Sequence, residues 1–376
     1  MRLCVIANGF QEDYIIHYLT SVAGKVDRLD FIGSKIYMHG KIDPSINFYD
    51  LKGGGIEGLP LFQKIKRVLL YYSNLILFFS KKPWKGVIHT QWLRFNILDG
   101  ILLPSLYKFL GYRNVYTVHD VLPHDKDTWL NRLIFKIIYR INWKLIVHTE
   151  FLKKRLCEEF RIDCNKIKVI KHGVYEVEEK ILLSNAEAKN RLGLLADEIL
   201  ILFFGYITQY KGLDLLLAAF SELNTDRGIK LIIAGRPYEN YRQKLIGLQN
   251  TYTSENIRFI IRRIDEDELP VIFGAADITV IPYREASQSG VLFMSYAYGV
   301  PVIGPDIGGF PYDIINNETG YIFKTGDVDD LKSQLVKFVN EGQENLLDRD
   351  RLRQFAHDNY SWQKSGIELI NFISKE

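Results

Sequence analysis

The sequence contains few cysteines and no apolar stretch long enough to span a bilayer. Its three cysteines, Cys4, Cys157 and Cys164, are too few for a disulfide framework and lack the spacing of metal ligands. We therefore expect inert thiols in a reducing compartment. The longest apolar run, residues 68–79, falls well short of the ~20 residues that cross a membrane. The sequence thus predicts neither a membrane-spanning helix nor a disulfide-stabilised fold.

An excess of charge of one sign is also missing. Lys and Arg number 48 against 45 Asp and Glu, a net charge of +3, which is too small to indicate a nucleic-acid partner. At the N-terminus a single basic residue precedes a short apolar run, which is the pattern of a first strand and not of a signal peptide. We expect a cytoplasmic protein that binds no nucleic acid.

Short apolar segments rich in Val and Ile alternate with segments of helical periodicity, which indicates βαβ units and parallel sheets. The chain exceeds the roughly 250–300 residues of a single core, and the apolar segments form two series. The series comprise residues 3–7, 29–33, 85–90, 114–120, 144–149 and 167–173, then 199–205, 229–235, 256–261, 277–282, 300–304 and 320–323. The polar segment 175–197 separates them, so we predict an N-terminal domain of residues 1–180 and a C-terminal domain of residues 181–355.

The loops that follow strands are the candidate sites, because open parallel sheets bind ligands at the carboxyl ends of their strands. Residues 203–220 predict a strand, a glycine-containing loop and a helix. Gly205 permits a close backbone turn, and Lys211 near the helix N-terminus is a candidate cation for a phosphate. The alternative is a solvated lysine in a turn closed by Gly212.

A second candidate anion site lies in residues 281–303, where a strand runs into the loop SQSG and then a helix beginning near Gly290. Backbone N–H groups at such a helix start form an anion-binding concavity. Ser287 and Ser289 either donate hydroxyl hydrogen bonds to the anion or cap the helix.

The spacing of these motifs is specific when they are taken together. The motifs are the pattern KG-D-LL-AF after a strand, the pattern G-P-V-I after a polar loop and helix, and residues 308–323 and 360–370. With these motifs the chain resembles the family-4 retaining glycosyltransferases of the GT-B fold, in an SQSGV-type subgroup. The resemblance implies an α/β fold of two Rossmann-like domains facing across a cleft. The C-terminal domain would bind the nucleotide-sugar donor and the N-terminal domain the acceptor. Residues 356–376 would form a helix that packs back on the N-terminal domain.

The same resemblance implies roles for the residues of the C-terminal motifs. Lys211 is similar to the lysine that binds the donor diphosphate. The backbone of Ser289, Gly290 and Val291 is similar to the helix start that holds the distal phosphate. Arg263 lies in a loop that would face the nucleotide base.

Two departures from the family pattern affect this site. Members carry Arg or Lys directly after the first-loop glycine, where this chain has Tyr206, so one phosphate cation is missing. Members also carry two glutamates, at positions occupied here by Ala286 and Met294. Glu285 could take over a catalytic role at the sugar hydroxyls, or it is a surface carboxylate paired with Arg284.

In the N-terminal half, His119 and Asp120 directly follow a predicted strand. A histidine there can donate a hydrogen bond to the sugar, with Asp120 fixing its tautomer; the alternative is a histidine satisfied within its loop. Because the family commonly places a histidine at this strand end, the resemblance makes His119 a catalytic candidate. His124 is a second, acceptor-side candidate. Asn8 and Gly9 match a loop that lies near the acceptor and the diphosphate in relatives.

Retention of configuration is a further implication of the resemblance, through front-face attack assisted by the departing phosphate. Cations and helix dipoles would stabilise the leaving diphosphate without a bound metal. The sequence also lacks an Asp-x-Asp pair at a strand end to hold Mg²⁺. We expect no cofactor, with a nucleotide-diphosphate sugar as co-substrate.

Basic residues flank aliphatic and aromatic ones in two segments with helical periodicity, residues 61–86 and 129–144. The second segment sets Arg132, Lys136 and Arg140 at four-residue spacing, which is typical of a helix lying on anionic lipid. We expect peripheral contact with the inner face of the cell membrane. The alternative is that the apolar faces belong to the core and the basic stripes are solvated.

The sequence therefore predicts a glycosyltransferase that moves a hexosyl group from a nucleotide-diphosphate sugar to a glycan or polyprenyl-linked glycolipid acceptor, in surface polysaccharide biosynthesis. Two alternatives stay open. One is a sugar-nucleotide 2-epimerase of the same fold, against which the missing glutamates argue. The other is a non-catalytic sugar-nucleotide-binding protein.

Overall fold

The computed structural model describes most of the chain as two compact units. The described residues are 1–8, 12–34, 42–51, 59–81, 85–122, 127–223, 228–341 and 346–375. The first unit comprises Met1–Gly173 together with Trp362–Glu376, and the second comprises Val174–Ser361. The chain thus passes from one unit to the other twice, after Gly173 and before Trp362.

Each unit is built on a parallel sheet. Within the described ranges the strands are β1 (Arg2–Ile6), β2 (Arg28–Gly33), β3 (Asn47–Asp50), β4 (Val87–Thr90), β5 (Arg113–Val118), β6 (Lys144–Val147), β7 (Ile167–Val169), β8 (Ile199–Phe204), β9 (Ile229–Ala234), β10 (Ile257–Ile260), β11 (Ile278–Val280), β12 (Val302–Pro305) and β13 (Gly320–Phe323). The first sheet has the order β3-β2-β1-β4-β5-β6-β7 and the second β10-β9-β8-β11-β12-β13. The strand order reverses between β1 and β4 and between β8 and β11, so these are the switch points at which open sheets bind ligands.

Helices connect the strands. They are α1 (Glu12–Val22), α2 (Leu61–Lys81), α3 (Leu103–Phe109), α4 (Trp129–Ile141), α5 (Glu150–Glu158), α6 (Asn185–Arg191), α7 (Leu213–Ser221), α8 (Arg242–Thr251), α9 (Leu269–Ala275), α10 (Gly290–Ala297), α11 (Phe310–Asp313), α12 (Val328–Glu341), α13 (Arg349–Asn359) and α14 (Trp362–Ser374). Parallel strands need such crossovers, which place helices over the faces of the sheet.

Both faces of each sheet are buried, which explains why the strands are continuous apolar runs. In β1, Leu3 and Val5 pack on the face that carries α1 and α14. Cys4 and Ile6 point to the opposite face and pack with Tyr71 of α2. The register keeps this alternation across the sheet, since Leu3 lies opposite Leu29 of β2 and Val87 of β4. The short edge strand β3 escaped the sequence analysis because its sequence, NFYD, is neither apolar nor strongly alternating.

The C-terminal helix α14 packs against α1 in the first unit. A Cβ at Gly366 would lie 2.2 Å from Ser21 O, so glycine is needed for this approach of the two helices. At the start of α14, the Trp362 ring lies directly on the backbone of Gly173. The hydroxyl of Ser365 also donates to Lys171 O at 2.8 Å. These contacts fix the chain segments at both crossings on the N-terminal unit.

The cysteines depart from the sequence-based expectation. Cys157 and Cys164 lie with their Cα atoms 5.6 Å apart and are joined by a disulfide, whereas Cys4 is a buried thiol. The expectation of inert thiols is therefore wrong for the pair. The end of α5 and the turn after it bring the two residues within disulfide range, and a separation of seven positions along the chain does not reveal this.

In the part of the chain that the structure describes, every helix is too short or too polar to cross a bilayer.

Candidate functional site

The loop after β8 places a buried cation at the switch point of the second sheet. Gly205 has a φ of +104°, and a Cβ there would lie 3.4 Å from both Lys211 Nζ and Val291 Cγ2. The backbone of Gly205, the Lys211 ammonium and the first turn of α10 therefore meet at one point. Lys211 is 9% exposed, so the alternative of a solvated lysine is wrong.

Lys211 is charged and has no carboxylate partner among the described residues. Its Nζ lies 4.9 Å from the ring centre of Tyr283. Burial disfavours the ammonium, but the hydroxyl-bearing rings of Tyr283 and Tyr210 outweigh this effect and hold the pKa of Lys211 above its ordinary value. A buried ammonium without a counter-ion is costly. An anionic ligand at this position would supply the missing charge.

The start of α10 carries a second unsatisfied group. Ser289 precedes α10, is 7% exposed, and its hydroxyl makes no capping hydrogen bond. Its Oγ is buried without a partner, so the capping alternative is wrong for this serine. The loop before α10 is held by the segment that follows β12, since Gly309 N donates to Ser287 O at 3.0 Å. Free N–H groups at the helix start, with the unpaired Ser289 hydroxyl, form an anion site next to Lys211.

Glu285 and Arg263 lie on the surface of the second unit. Arg284 pairs with Asp214, with 2.7 Å between Nη1 and Oδ1, so the alternative pairing of Glu285 with Arg284 is wrong. Glu285 itself is exposed. Arg263 is exposed as well, beside Arg262, which pairs with Glu268. Within the described residues, neither Glu285 nor Arg263 is ion-paired or hydrogen-bonded through its side chain to the Lys211 site. Their catalytic and base-binding roles stay predictions.

In the first unit, His119 follows β5 and is held by three neighbours. Its ring stacks on Trp92 with 4.5 Å between centres and 9° between planes. The edge of Tyr14 lies against it, with ring centres 5.3 Å apart. The ring also hydrogen-bonds to the backbone of Gln91, while Nε2 is buried and has no partner. The alternative of a histidine fully satisfied in its loop is therefore wrong for Nε2.

The environment of His119 favours a neutral ring. Burial, together with the nearby His148 and His172, lowers the pKa of His119 well below its ordinary value. Because Nε2 lacks a partner, the bond to Gln91 uses Nδ1, and donation from Nδ1–H to the carbonyl leaves Nε2 as an acceptor. His119 thus offers a hydroxyl an acceptor, where the sequence analysis expected a donor.

His119 belongs to a cluster of four histidines at the ends of neighbouring strands. His89 lies in β4, His148 follows β6 and His172 follows β7. Burial lowers the pKa of His89 to about 3, of His148 to about 4 and of His172 to about 3. The tyrosine hydroxyls of α1 contact two of these rings, with 2.6 Å from Tyr18 to His89 Nδ1 and 3.1 Å from Tyr14 to His148 Nε2.

Sequence reasoning missed this cluster and the residues that orient His119. A signal was present, because His89, His119, His148 and His172 each occupy the end of a predicted strand. Parallel strands bring such ends to one edge of the sheet. The contribution of Tyr14 from α1 had no local signal.

The remaining acceptor-side candidates lie in the same unit or outside the described residues. Asn8 follows β1, and its Oδ1 accepts a hydrogen bond from Tyr71 at 3.1 Å. Asp120 is half-buried beside His119. Gly9 and His124 lie outside the described residues.

Within the described ranges, no group of three or more His, Cys, Asp and Glu side chains is arranged to hold a metal ion. Metal independence stays a prediction.

The helices α2 and α4 expose an unusually apolar surface on the first unit. The α2 core face is formed by Tyr71, Tyr72, Leu75 and Phe79, but the exposed side chains lie elsewhere on these helices. The exposed fractions are 74% for Leu61, 76% for Phe62, 50% for Ile65, 63% for Leu69, 77% for Trp129 and 49% for both Leu130 and Leu133. The alternative that the apolar faces belong to the core therefore accounts for only part of these helices.

Two α/β units with parallel sheets of seven and six strands, and a candidate anion site at the switch point of the second sheet, are consistent with the GT-B fold. Comparison with known families agrees. The family model described as glycosyl transferases group 1 matches residues 184–357, and the model for glycosyltransferase family 4 matches residues 41–176. The C-terminal half of the chain thus matches the group 1 model and the N-terminal half matches the family 4 model. The fold class predicted from the sequence is confirmed, whereas the SQSGV-type subgroup stays a prediction.

Individual relatives are distant but cover nearly the whole chain. A D-inositol 3-phosphate glycosyltransferase from Corynebacterium aurimucosum is 23% identical over 89% of this chain and 82% of its own length. Sucrose-phosphate synthase from Thermosynechococcus elongatus has a similar structure, with a TM-score of 0.79 at 17% identity over 98% and 97% of the two chains. The Anabaena protein HepE in complex with UDP-glucose gives 0.77 at 13% identity over 100% and 99%.

Proposed function

We propose that the protein transfers a hexosyl group from a nucleotide-diphosphate sugar to a hydroxyl of a glycan or polyprenyl-linked glycolipid, with retention, in surface polysaccharide biosynthesis. The observation that carries the proposal is the buried ammonium of Lys211, which lacks a counter-ion and lies at Gly205 beside the start of α10. A diphosphate fits this place because it brings negative charge to a buried cation and to free helix N–H groups.

The names of similar proteins support a nucleotide sugar as donor. HepE was solved with UDP-glucose, and the Corynebacterium relative is named as a glycosyltransferase that acts on an inositol phosphate. Sugar transfer from a nucleoside diphosphate is consistent with both names.

In the proposed reaction, the bond between the anomeric carbon and the diphosphate breaks while an acceptor hydroxyl forms a bond to the same face of the sugar and gives its proton to the departing diphosphate. Lys211, the Ser289 hydroxyl and the N–H groups of Gly290 and Val291 stabilise the negative charge that develops on the leaving diphosphate. No cofactor or metal takes part in this scheme. His119 accepts a hydrogen bond from a sugar hydroxyl through Nε2. Glu285 contributes a negative charge near the positively charged sugar of the transition state.

A donor panel tests the proposal. UDP-, GDP- and ADP-sugars would be incubated with the protein and detergent-solubilised polyprenyl-linked acceptors, first without added metal and then with a chelator, while nucleoside diphosphate release is measured. Acceptor-dependent release with one donor supports transfer. Conversion of the donor to its epimer without release would favour the 2-epimerase alternative. Binding without either reaction would favour the non-catalytic alternative.

The same proposal includes peripheral contact of the first unit with an anionic membrane, where a polyprenyl-linked acceptor would be found. The exposed side chains of Leu61, Ile65 and Leu69 recur every four residues on α2 and so share one stripe. Lys64 and Lys66 lie among them. An apolar stripe with interspersed cations suits a helix that lies in the interface of an anionic bilayer.

Membrane binding is predicted to depend on both parts of this stripe. Changing Lys64 and Lys66 together to Gln should weaken binding to phosphatidylglycerol vesicles in a sedimentation assay roughly thirtyfold, because each cation near the surface contributes ~1 kcal/mol. Changing Leu61 and Phe62 together to Ser should have a similar effect through lost apolar burial. Leu195→Ser is the matched control, since Leu195 is 67% exposed but lies in the second unit. Equal sedimentation of all variants with the vesicles would overturn the membrane proposal. A wild-type protein that does not sediment with the vesicles would overturn it as well.

A further inference from the structure

A second cation is anchored at the same edge of the second sheet as Lys211. Arg236 lies in the loop after β9, which pairs in parallel with β8. The two loops continue this pairing, since Ile207 N donates to Arg236 O at 2.9 Å and Tyr238 N donates to Ile207 O at 3.1 Å. The backbone of Arg236 is therefore fixed next to the loop that carries Gly205.

The close approach of these loops requires glycine. Gly235 has a φ of +152°, and a Cβ at this position would lie 1.8 Å from Gly205 O. A side chain there would push the β9 loop away from the β8 loop. Gly235 thus keeps Arg236 beside the residue at which Lys211 and α10 converge.

The side chain of Arg236 is held by a tyrosine and not by a carboxylate. Its guanidinium carbon lies 4.9 Å from the ring centre of Tyr206, and one of its terminal nitrogens donates to the Tyr206 hydroxyl. The Tyr206 ring in turn contacts Tyr238, with ring centres 5.0 Å apart. Among the described residues, Arg236 has no acidic partner. Stacking on an aromatic face orients a guanidinium while leaving its charge available to an anion.

The charge of the proposed donor makes a second cation necessary. A nucleotide-diphosphate sugar carries about two negative charges, and Lys211 compensates one of them. Tyr206 directly follows Gly205, and it is this residue that binds the guanidinium of Arg236. The tyrosine side chain thus brings a second positive charge to the first loop, in addition to that of Lys211.

We propose that Arg236 is the second diphosphate-binding cation of the donor site, supplied by the loop after β9 and oriented by Tyr206. This inference rests on the proposed function, because it assumes a nucleotide-diphosphate donor. Arg236 binds phosphate oxygens through its planar group, and Tyr206 acts as a positioning residue that limits the motion of the arginine.

Calorimetric titration with UDP, GDP and ADP tests the proposal. For the nucleoside diphosphate that binds the wild type most tightly, Arg236→Ala should weaken binding roughly 10- to 100-fold, as expected for lost hydrogen bonds to a charged group. Tyr206→Phe keeps the ring but removes the hydroxyl, so it should cause a smaller loss. The double variant Tyr206→Arg with Arg236→Ala moves the cation to the first loop and should recover most of the affinity.

Arg242→Ala is the matched control. Arg242 is an exposed cation at the start of α8, paired with Glu239 at 2.9 Å, and its removal changes the net charge by the same amount. Equal affinity of the wild type and Arg236→Ala would overturn the proposal while leaving the proposed function intact. Failure of the double variant to regain affinity would also count against a shared phosphate position. If none of the three nucleotides binds the wild type, the proposed function fails and this inference fails with it.

Discussion

Replacing Lys211 with Met is expected to lower kcat/KM for the donor roughly 10²- to 10³-fold, the cost of removing one strong donor from a preorganised anion site. Methionine fills similar volume without the charge. The loss should appear mainly in kcat if the lysine acts on the leaving diphosphate, because negative charge grows there in the transition state. Nucleoside diphosphate release under steady-state conditions measures both constants.

The same substitution should not destabilise the ligand-free protein. Lys211 is 9% exposed and has no carboxylate partner among the described residues, so its replacement by Met breaks no ion pair and leaves no carboxylate unpaired. We expect a nearly unchanged Tm for Lys211→Met without ligand, and a smaller rise in Tm when nucleotide is added. Lys332→Met serves as control, because Lys332 pairs with Glu222 on the surface. A marked fall in Tm of Lys211→Met would assign the lysine a structural role instead.

The sequence predicted the sheets and the local geometry of the loop after β8 for a common physical reason. Strands buried on both faces, such as β8 and β9, are continuous apolar runs, and these were all recognised. Gly205, Lys211 and Ser289 lie within short motifs whose backbone geometry is set locally by a strand end and a helix start. The edge strand β3 has neither property, and only pairing with β2 makes it a strand.

The parts of the site that sequence reasoning missed are assembled from distant segments. His119 is oriented by Trp92 after β4 and by Tyr14 on α1. Arg236 reaches Tyr206 across two neighbouring strand ends. No spacing along the chain encodes these contacts, because they depend on strand order. The exposure of Leu61 and Phe62 was likewise decided by which face of α2 packs on the sheet.

The histidine cluster predicts that the first unit loses stability in mild acid while the second is affected much less. His89, His148 and His172 are buried with pKa values of about 3, 4 and 3. In the unfolded chain a histidine titrates near ~6.5. As the pH falls below that value, the unfolded state takes up protons that the folded state does not, so the free energy of unfolding decreases. Above pH ~6.5 these groups add no pH dependence.

The size of this effect follows from linkage. Each of the four histidines, His119 included, lowers the free energy of unfolding by about 1.4 kcal/mol per pH unit once it titrates fully in the unfolded state. Together they lower it by roughly 5–6 kcal/mol per pH unit. That is a large part of a typical domain stability of ~5–15 kcal/mol. The second unit contains a single histidine, His357, which is exposed. The first unit should therefore open between about pH 6 and pH 4.

Hydrogen exchange at a series of pH values, corrected for the intrinsic rate, separates the two units. Peptides from β4 to β7 should lose protection steeply below pH ~6.5, and peptides from β8 to β13 should change much less. His148→Gln should reduce the slope for the first unit by about a quarter, whatever its effect on absolute stability, because one of the four depressed histidine titrations, His119 included, is removed. Equal slopes for both units would contradict the prediction. Because the same burial keeps His119 neutral, Nε2 remains an acceptor for as long as the first unit is folded, and activity should fall with unfolding and not with titration of this ring.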